Sequence, residues 1–324
     1  MKKLCQYLLL VVGVATRTWA TEEWWRMLNV FEPTRIRKDI RDLDPGAVLT
    51  TKLGRLVIED NVGEGSYGVV YRAHAESDIN RKFAIKVQKR EVLGKYYSKY
   101  APKGYSNLDH EVRVLEAMQG VDGFTKLYAS HLGNGHKYMV IELLGKSLSG
   151  RIREDPDAFE SKAVVARVGA QIVSRFRDLH EKGYLMNDVH LGNFVEDEDG
   201  DLVMIDLGLA IPWTGVKATD YGVRTADGKD RYFTSRREDN DLAQSRQDDL
   251  EKLLYILVVM TGGHLPWTRY DLDSRIVMAK RRATAADICT GKASWLQPAM
   301  EHVLGLGFDE APDYDFLIKS LLLA

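Results

Sequence analysis

The sequence predicts an α+β fold of two lobes, a small β-rich N-terminal lobe with one helix and a larger α-helical C-terminal lobe. Apolar and polar residues alternate from Leu53 to Val87 as they do in strands, and a single helical pattern follows from Asn107 to Gly120. Beyond Leu144–Gly145 the periodicity is that of helices. The nearly all-apolar helix predicted from Leu250 to Met260 is expected to form the buried core of the larger lobe.

The bulk composition is that of an ordinary globular protein. The 324 residues are 45% hydrophobic and 28% charged, and they suffice for two lobes around a cleft. A net charge of −2 gives no reason to expect a nucleic acid or a membrane surface as partner, so we expect neither, and we expect a monomer. Of the 2 cysteines, Cys5 lies near the N-terminus, and Cys289 is predicted to pack as a small buried apolar residue.

The N-terminus resembles a secretory signal peptide. Lys2 and Lys3 supply positive charge, Leu4 to Ala15 is mostly apolar, and Ala20 ends an acceptable cleavage site. The apolar run is short for a transmembrane span, and an uncleaved anchor or an ordinary N-terminal helix are the alternatives. We therefore expect a protein that is secreted or lies in the lumen of the secretory pathway, without a stable membrane span.

These patterns divide the chain into three parts. We place a signal peptide at residues 1–20, an N-terminal extension at 21–52 and one large domain at 53–324. Within the large domain the N-lobe is placed at 53–142 and the C-lobe at 145–324. The cleft between the two lobes is the expected place for a site.

A glycine-rich segment interrupts the strand pattern at residues 63–71. Gly63, Gly65 and Gly68 would let backbone N–H groups approach phosphate oxygens, and the flanking strands would hold the loop over a nucleotide. A dinucleotide-binding loop would be followed directly by a helix, with an acidic residue about twenty positions later. Here the chain continues as a strand through Val70, which argues against that alternative.

One lysine, Lys86, lies in an otherwise apolar strand behind the glycine loop. It would hold the α and β phosphates of a nucleotide, or it would face solvent from an edge strand. Glu111 lies on the apolar face of the predicted helix, where a carboxylate needs a partner, and Lys86 is the expected one. The alternative for Glu111 is a boundary position that reaches water. The segment from Ile141 through Glu142 to Leu144 is predicted as the hinge, where backbone groups would meet the adenine edge.

Three polar residues stand out in the stretch Gly183–Ala210. Asp188 is followed five positions later by Asn193, and Asp206 comes directly after the apolar run Leu202–Ile205. Phosphoryl transfer requires this spacing, because one carboxylate orients the attacking hydroxyl while an amide and a second carboxylate hold the metal. A turn-rich hairpin with solvated acids is the alternative.

With these motifs in order, the chain resembles a eukaryotic protein kinase over about residues 53 to 321. Within that family it is similar to the casein kinase I and vaccinia-related kinase group. Further segments that carry this resemblance are Glu142–Leu148, Phe233–Ser235 in place of Ala-Pro-Glu, Gln244–Glu251, Leu265–Trp267 and Phe308–Tyr314. The resemblance implies the bilobal protein-kinase fold, ATP and Mg²⁺ as cofactors, and protein substrates.

The resemblance also implies a role for each candidate residue. Lys86 would bind phosphates with Glu111 as its partner, and Asp188 would be the catalytic acid/base residue. The implied catalytic set is Asp188, Lys86 and Asn193, the implied magnesium ligands are Asn193 and Asp206, and the implied nucleotide site is Gly63, Gly65, Gly68, Val70, Ala84, Lys86, Glu111, Glu142 and Leu144. Asp249 would steady the catalytic loop through backbone hydrogen bonds, although an acid at a helix N-terminus is also favoured by the dipole.

Three departures from the kinase pattern bear on activity. The usual His-Arg-Asp is Met186–Asn187–Asp188, the metal motif has Leu207, and His190 stands where a lysine is usual. A histidine donates a hydrogen bond but supplies charge less reliably than a lysine. We expect an active Ser/Thr kinase, and the alternative is a pseudokinase that binds nucleotide or protein and transfers nothing. Asn187 carries no charge to clamp a phosphate, so we expect activity without phosphorylation of the activation segment.

Five basic residues lie where a substrate peptide would bind, between the metal motif and the apolar helix. They are Arg224, Lys229, Arg231, Arg236 and Arg237. Since guanidinium groups match phosphate bidentately, the cluster predicts acidic or already phosphorylated substrates, a preference that casein kinase I relatives also show. A solvated charged face is the alternative.

Overall fold

The computed structural model describes residues 43–64, 68–88, 107–133, 137–159, 161–213, 231–270 and 272–323. The predicted signal peptide, Gly65, Arg224 and Lys229 lie outside these ranges. Within them the chain forms a β-sheet lobe with one helix, followed by a helical lobe, which confirms the predicted fold class.

The N-lobe is a six-stranded antiparallel sheet with strand order β1-β2-β3-β4-β6-β5. Its strands are β1 Val48–Thr51, β2 Gly54–Glu64, β3 Gly68–Ala75, β4 Asp78–Gln88, β5 Leu127–His131 and β6 Tyr138–Ile141. One face buries a small core that includes Ile58, Tyr71, Ile85 and Val140. The sheet begins inside the predicted extension, because Val48–Thr51 pairs with β2.

Within the described part of the N-lobe there is one helix, α1, which spans Asn107–Met118. The predicted apolar stripe of Leu108, Val112, Leu115 and Met118 is buried in the large cluster that also fills the C-lobe. The helix ends before Gly120, whose φ of 83° lies in the left-handed region that glycine adopts without a steric cost. Helix α1 therefore belongs by its packing to both lobes.

The C-lobe is built around two long helices. Its helices are α2 Leu148–Glu154, α3 Lys162–Glu181, α4 Arg236–Asp239, α5 Arg246–Met260, α6 Asp273–Arg282, α7 Ala285–Ile288, α8 Gln297–Gly305 and α9 Tyr314–Leu322. Every residue of α5 from Asp248 to Met260 is buried, as the all-apolar pattern predicted for most of it. Cys289 is 3% exposed in the same core, which confirms its predicted packing. No helix in the described ranges is long and apolar enough to cross a bilayer.

Four short strands position the candidate site at the front of the C-lobe. They are β7 Tyr184–Leu185, β8 Phe194–Glu196, β9 Leu202–Met204 and β10 Ile211–Pro212. Strand β8 pairs with β9, and β7 pairs with β10. The loop with Asp188 and Asn193 joins β7 to β8, and the segment with Asp206 joins β9 to β10, so the two pairings bring these segments together.

Candidate active site

Lys86 lies at the centre of the candidate site. Its ammonium nitrogen is 2.8 Å from a Glu111 carboxylate oxygen and 2.9 Å from Asp206 Oδ1. Strand alternation explains its direction, because Ile85 is buried in the sheet core while Lys86 faces the other side. The structure thus joins β4, helix α1 and the segment after β9 through one cation.

The charge of Lys86 is fixed by its surroundings. Its side chain is 12% exposed, and that of Glu111 is 2% exposed. Burial alone would lower the pKa of Lys86, but the charges of Asp206 and Glu111 outweigh burial and raise that pKa above its usual range. The ammonium group therefore stays protonated and ready to bind an anion.

Asn193 ties the catalytic loop to the strand that leads to Asp206. Its amide nitrogen donates to the Asp188 carbonyl oxygen at 2.9 Å, and its own carbonyl accepts from the Ile205 backbone N–H at 2.9 Å. Because the amide nitrogen is engaged, the amide oxygen is the atom left to face a metal. Asp206 itself has φ of 56°, a backbone conformation that Asp tolerates better than most residues.

These two residues fit the magnesium that the resemblance implies. Mg²⁺ prefers oxygen ligands and is usually held by one or two carboxylates together with substrate phosphates and water. The Asp206 side chain is 47% exposed and touches Lys86 through Oδ1, so a second oxygen can reach a metal. No group of three or more His, Cys, Asp or Glu in the described part of the chain could hold a metal by itself. A metal here would take its remaining ligands from the nucleotide.

His190 faces the carboxylate of Asp188 with Nε2, at 3.4 Å from Oδ2. The backbone N–H of Gly192 donates to His190 Nδ1 at 3.1 Å. A nitrogen that accepts a hydrogen bond carries no proton, so the neutral ring carries its proton on Nε2. His190 is thereby oriented as a hydrogen-bond donor at the place where kinases usually have a lysine.

A chain of buried hydrogen bonds from the C-lobe core supports the catalytic loop at Met186 and Asn187. Asp249 Oδ2 accepts from the Met186 N–H at 2.7 Å, and Oδ1 accepts from the Asn187 N–H at 2.9 Å. This confirms the bracing predicted for Asp249. His180 Nε2 lies 2.9 Å from Asp249, and the Tyr314 hydroxyl lies 2.7 Å from His180 Nδ1. His180 and Tyr314 were not predicted, because the sequence around them gives no local signal of a buried polar role.

Asn187 replaces the usual arginine with neutral hydrogen bonds. Its side-chain nitrogen donates to the Leu209 carbonyl at 3.1 Å, just beyond the metal motif. Its own carbonyl accepts from the buried ammonium of Lys252 at 2.9 Å. Burial opposes the charge of Lys252, but Glu238, 2.6 Å away, and other carboxylates raise its pKa. Lys252 is a further residue that the sequence analysis missed, because a lysine in a helix usually faces solvent.

A histidine of helix α1 adds a link to the same segment. His110 Nε2 lies 2.5 Å from the carbonyl oxygen of Ala210, and burial lowers the pKa of the ring. Helix α1 therefore contacts the segment after the metal motif directly through His110, and it is linked to Asp206 indirectly, through Lys86, which binds both Glu111 and Asp206. The sequence analysis did not identify His110.

The predicted nucleotide residues line the face of the sheet on which Lys86 lies. Val70 is the cross-strand partner of Lys86, and Ala84 precedes Lys86 by two positions on the same face. A Cβ on Gly68 would lie 2.7 Å from the Val87 carbonyl oxygen, so this glycine allows β3 to approach β4. A Cβ on Gly63 would make only an ordinary contact, at 3.9 Å from the Val70 Cβ, so packing within the described ranges does not require a glycine there.

The hinge begins where β6 ends, at Ile141. The Glu142 N–H donates to the Lys126 carbonyl at 3.0 Å, and its carboxylate pairs with the Lys126 ammonium at 2.8 Å. The side chain of Glu142 is thus engaged by Lys126, and Leu144 is half-buried two positions later. The backbone of this segment is what the hinge offers to an adenine.

Three of the five predicted basic residues are engaged by internal partners. Arg231 Nε lies 2.9 Å from Asp273 Oδ2, and Arg231 Nη1 lies 3.5 Å from Asp239 Oδ1. Arg236 donates to the Ala283 carbonyl at 2.7 Å, and Arg237 donates to the Ala243 carbonyl at 2.9 Å. These guanidinium groups hold the lobe together, so an acidic substrate would compete with existing contacts.

A comparison with protein families agrees with this geometry. A model of the protein kinase domain matches residues 56–296. The chain therefore belongs to the protein kinase family, which in general uses ATP and Mg²⁺.

The similar curated proteins point to the casein kinase I group. A probable casein kinase I homologue of Encephalitozoon cuniculi is 25% identical over 273 residues, which cover 81% of this chain and 81% of that protein. A second from the same organism is 28% identical over 291 residues, covering 85% of this chain and 90% of that protein. Casein kinase I homologue 2 of Schizosaccharomyces pombe is 28% identical over 270 residues, covering 79% of this chain and 59% of that protein.

Proposed function

We propose that the chain is an active, casein kinase I-like Ser/Thr protein kinase that transfers the γ-phosphate of ATP to protein hydroxyls. The observation that carries this is the joint placement of Lys86, Glu111 and Asp206, beside a loop in which Asn193 holds Asp188. Each of these polar groups is costly to bury or restrain, and packing alone gives no reason for them to meet.

Each of these residues has a separate role in phosphate transfer. Lys86 binds the phosphates of ATP, while Glu111 keeps the ammonium pointed into the cleft. Asn193 and Asp206 hold magnesium, which when bound neutralises charge on the phosphates. Asp188 accepts a hydrogen bond from the substrate hydroxyl and orients it, and then takes its proton. His190 donates from Nε2 beside Asp188 and supports negative charge without a permanent cation.

The direct test is phosphate transfer from ATP to casein and to a serine peptide by the purified chain. The Asp188→Asn variant should lose transfer by at least about a hundredfold, because the hydroxyl loses its acceptor. Asp199→Asn is the matched control, since Asp199 lies in an exposed turn. ATP binding by the wild type without any transfer above the Asp188→Asn level would identify a pseudokinase instead.

We also propose a preference for acidic or phosphorylated substrates. Its support is the basic composition of the segment and the similarity of the chain to casein kinase I homologues. A peptide array that varies the positions around the acceptor serine tests it. Equal rates with Asp, Glu, phosphoserine and Ala at every position would reject the preference.

We also propose a secreted or luminal monomer, on the basis of the N-terminal pattern and the bulk charge. Expression in a eukaryotic secretory host, followed by N-terminal sequencing, should give a chain that begins near Thr21. A chain that stays in the cytosol with its N-terminus intact would contradict the location. The mass from light scattering should be that of one chain, and a concentration-independent dimer would contradict the monomer.

A further inference from the structure

A basic groove lies on the C-lobe, apart from the candidate active site. It has a volume of about 580 Å³ and is lined by the turn after Trp267, by one face of helix α6 and by the start of α7. The residues that matter here are Arg269, Tyr270, Arg275, Met278, Arg282 and Asp287. None of them belongs to the residues to which a role in transfer is assigned above.

The face of α6 that lines the groove has a regular pattern. Arg275, Met278, Ala279 and Arg282 follow the spacing that places side chains along one side of a helix. The opposite side is anchored, because Ile276 and Lys280 are buried. Helix α6 is therefore held firmly while it presents two arginines with apolar residues between them.

The charges in the groove are not balanced within the described part of the chain. The guanidinium groups of Arg269, Arg275 and Arg282 have no ion pair or hydrogen bond to any residue in the described ranges, although Arg269 lies over the Tyr270 ring at 5.0 Å. The one acidic lining residue is Asp287, whose carboxylate accepts from the N–H and hydroxyl of Thr284 at 2.8 and 2.7 Å. Three cations thus face one carboxylate that is already engaged.

The neighbouring groove on the other side of α6 shows the contrast. It is lined by Arg231, Asp239, Asp273 and Arg281 among others, and there the Arg231 guanidinium is paired with both acids. Both acids of that groove are therefore engaged by Arg231, and its lining holds as many acids as arginines. The groove with Arg275 and Arg282 differs in having three arginines and a single acid in its lining.

We propose that this groove binds an acidic segment of a partner protein that carries an apolar side chain between two anionic groups. The charges require anions, because exposed guanidinium groups bind carboxylate or phosphate bidentately. The apolar part requires a hydrophobic side chain, because Met278 is 52% exposed between the two arginines. A compact apolar floor suits a peptide better than a nucleic acid, which needs a longer basic track.

The spacing of the arginines sets the spacing of the anions. Arg275 and Arg282 lie seven positions apart on α6, which corresponds to about 10 Å along a helix axis. Three residues of a peptide in the polyproline II conformation span about 9 Å, and because that helix has three residues per turn, the side chains at both ends point to the same side. The matching sequence therefore has acidic residues at positions one and four, with an apolar residue at two or three.

The groove is built on elements that also hold the end of the activation segment. Trp267 Nε1 donates to the Tyr232 carbonyl at 2.9 Å, and the Lys280 ammonium donates to the Thr234 carbonyl at 2.7 Å. A partner bound in the groove would therefore contact the elements that hold the end of the activation segment, where a substrate peptide would also bind. The further step that such a partner is a substrate rests on the proposed function, whereas binding itself does not.

The test is fluorescence polarisation with the full chain and a short fluorescein-labelled peptide. The peptide has glutamates three positions apart and a leucine between them, in a Gly/Asn background without hydroxyl residues. No ATP is present, so the result is independent of transfer. We expect saturable binding that weakens by about tenfold or more in Arg275→Gln/Arg282→Gln, because charge-assisted pairs are lost. Replacing leucine by glycine, or Met278 by Ser, should weaken binding by several-fold.

The matched control is Arg281→Gln, which removes the same charge from the other side of α6. It should change the affinity by less than about twofold, since its guanidinium group lines the neighbouring groove instead and its exposed charge is screened by salt. A phosphoserine in place of the second glutamate distinguishes phosphorylated from carboxylate partners, and tighter binding of either form supports the groove. Equal loss with Arg281→Gln, no dependence on leucine, or no binding would overturn the proposal. Tighter arginine-dependent binding of duplex DNA or anionic vesicles would overturn it as well.

Discussion

Gly192 controls His190 both by its backbone N–H and by the side chain that it lacks. A Cβ at this position would lie 2.8 Å from His190 Nδ1 and 2.9 Å from its Cε1, closer than such atoms approach in practice. The imidazole would have to move, and with it the proton that Nε2 presents to Asp188. A glycine thus acts as a positioning residue for a side chain two places before it.

The Gly192→Ala variant should lower kcat by about 10- to 100-fold and leave the KM for ATP nearly unchanged, because the loss falls on a donor at the transferring group. Steady-state kinetics with ATP and a serine peptide measure this. Gly305→Ala is the control, since a Cβ there would meet nothing within 4 Å. Combined with His190→Ala, the glycine change should add little further loss. Fully additive effects would show that Gly192 acts by some route other than His190.

Lys86 and Asp206 contact each other, yet replacing each of them should impair the protein in a different way. Lys86→Met should abolish transfer and lower thermal stability, because Glu111 keeps a buried carboxylate without its partner. Asp206→Asn should abolish transfer and remove the magnesium dependence of nucleotide binding. Nucleotide titrations with magnesium and with EDTA measure this difference. Equal wild-type affinity in both conditions would exclude a metal at Asp206.

At the scale of elements, the local patterns were sufficient for two charges that lie in apolar neighbourhoods. Lys86 in an apolar strand and Glu111 on an apolar helix face each needed a partner, so their pairing could be predicted. The contact between Lys86 and Asp206 spans 120 positions and depends on how the lobes meet, which no local pattern contains.

Buried polar residues of the helices were not predictable for the same reason. From the sequence alone, His180 in the last turn of α3 is expected to be an ordinary cation at a helix C-terminus, and Lys252 is expected to face solvent. Their buried roles depend on partners from other elements: Asp249 for His180, and Glu238 for Lys252. Sequence spacing identifies residues that must find a partner, whereas the fold decides which partner they find.

The brace between Asn187 and Leu209 predicts activity that is independent of phosphorylation. Neutral hydrogen bonds hold the loop to the segment beyond the metal motif, and Asn187 offers no cation to clamp a phosphate. The initial rate of bacterially produced protein should therefore stay within about twofold after exhaustive phosphatase treatment. Asn187→Arg is the informative comparison, since it introduces the missing cation. A rate that collapses on dephosphorylation and returns with an activating kinase would contradict this prediction.

At the scale of the whole molecule, the described residues form two hydrophobic clusters of unequal size. The smaller cluster lies on one face of the N-lobe sheet, while the larger one fills the C-lobe and includes helix α1. Cys289 lies in the larger cluster, 3% exposed. Its thiol can therefore report whether that cluster is intact.

Burial raises the pKa of the Cys289 thiol to about 12, so at pH 8 roughly one molecule in ten thousand carries the reactive thiolate. In a Cys5→Ser variant, which removes the other thiol, a disulfide reagent should therefore label the native protein only as fast as the protein unfolds. Increasing urea should raise the labelling rate in parallel with the loss of helical circular dichroism. Rapid labelling at pH 8 without denaturant would contradict the burial of this residue.

The link from Tyr314 through His180 to Asp249 has a consequence for biosynthesis. Tyr314 follows Lys86 by about 230 residues, an interval that a ribosome covers in roughly 10 to 50 seconds. His180 and Asp249, whose side chains are each about 1% exposed in the finished protein, are translated within this interval, before the hydroxyl that completes their chain. The nascent polypeptide can build its sheet early, but its catalytic loop gains full support only when helix α9 has emerged. A translational pause before that helix would therefore prolong an inactive, chaperone-accessible state rather than release a working N-terminal portion.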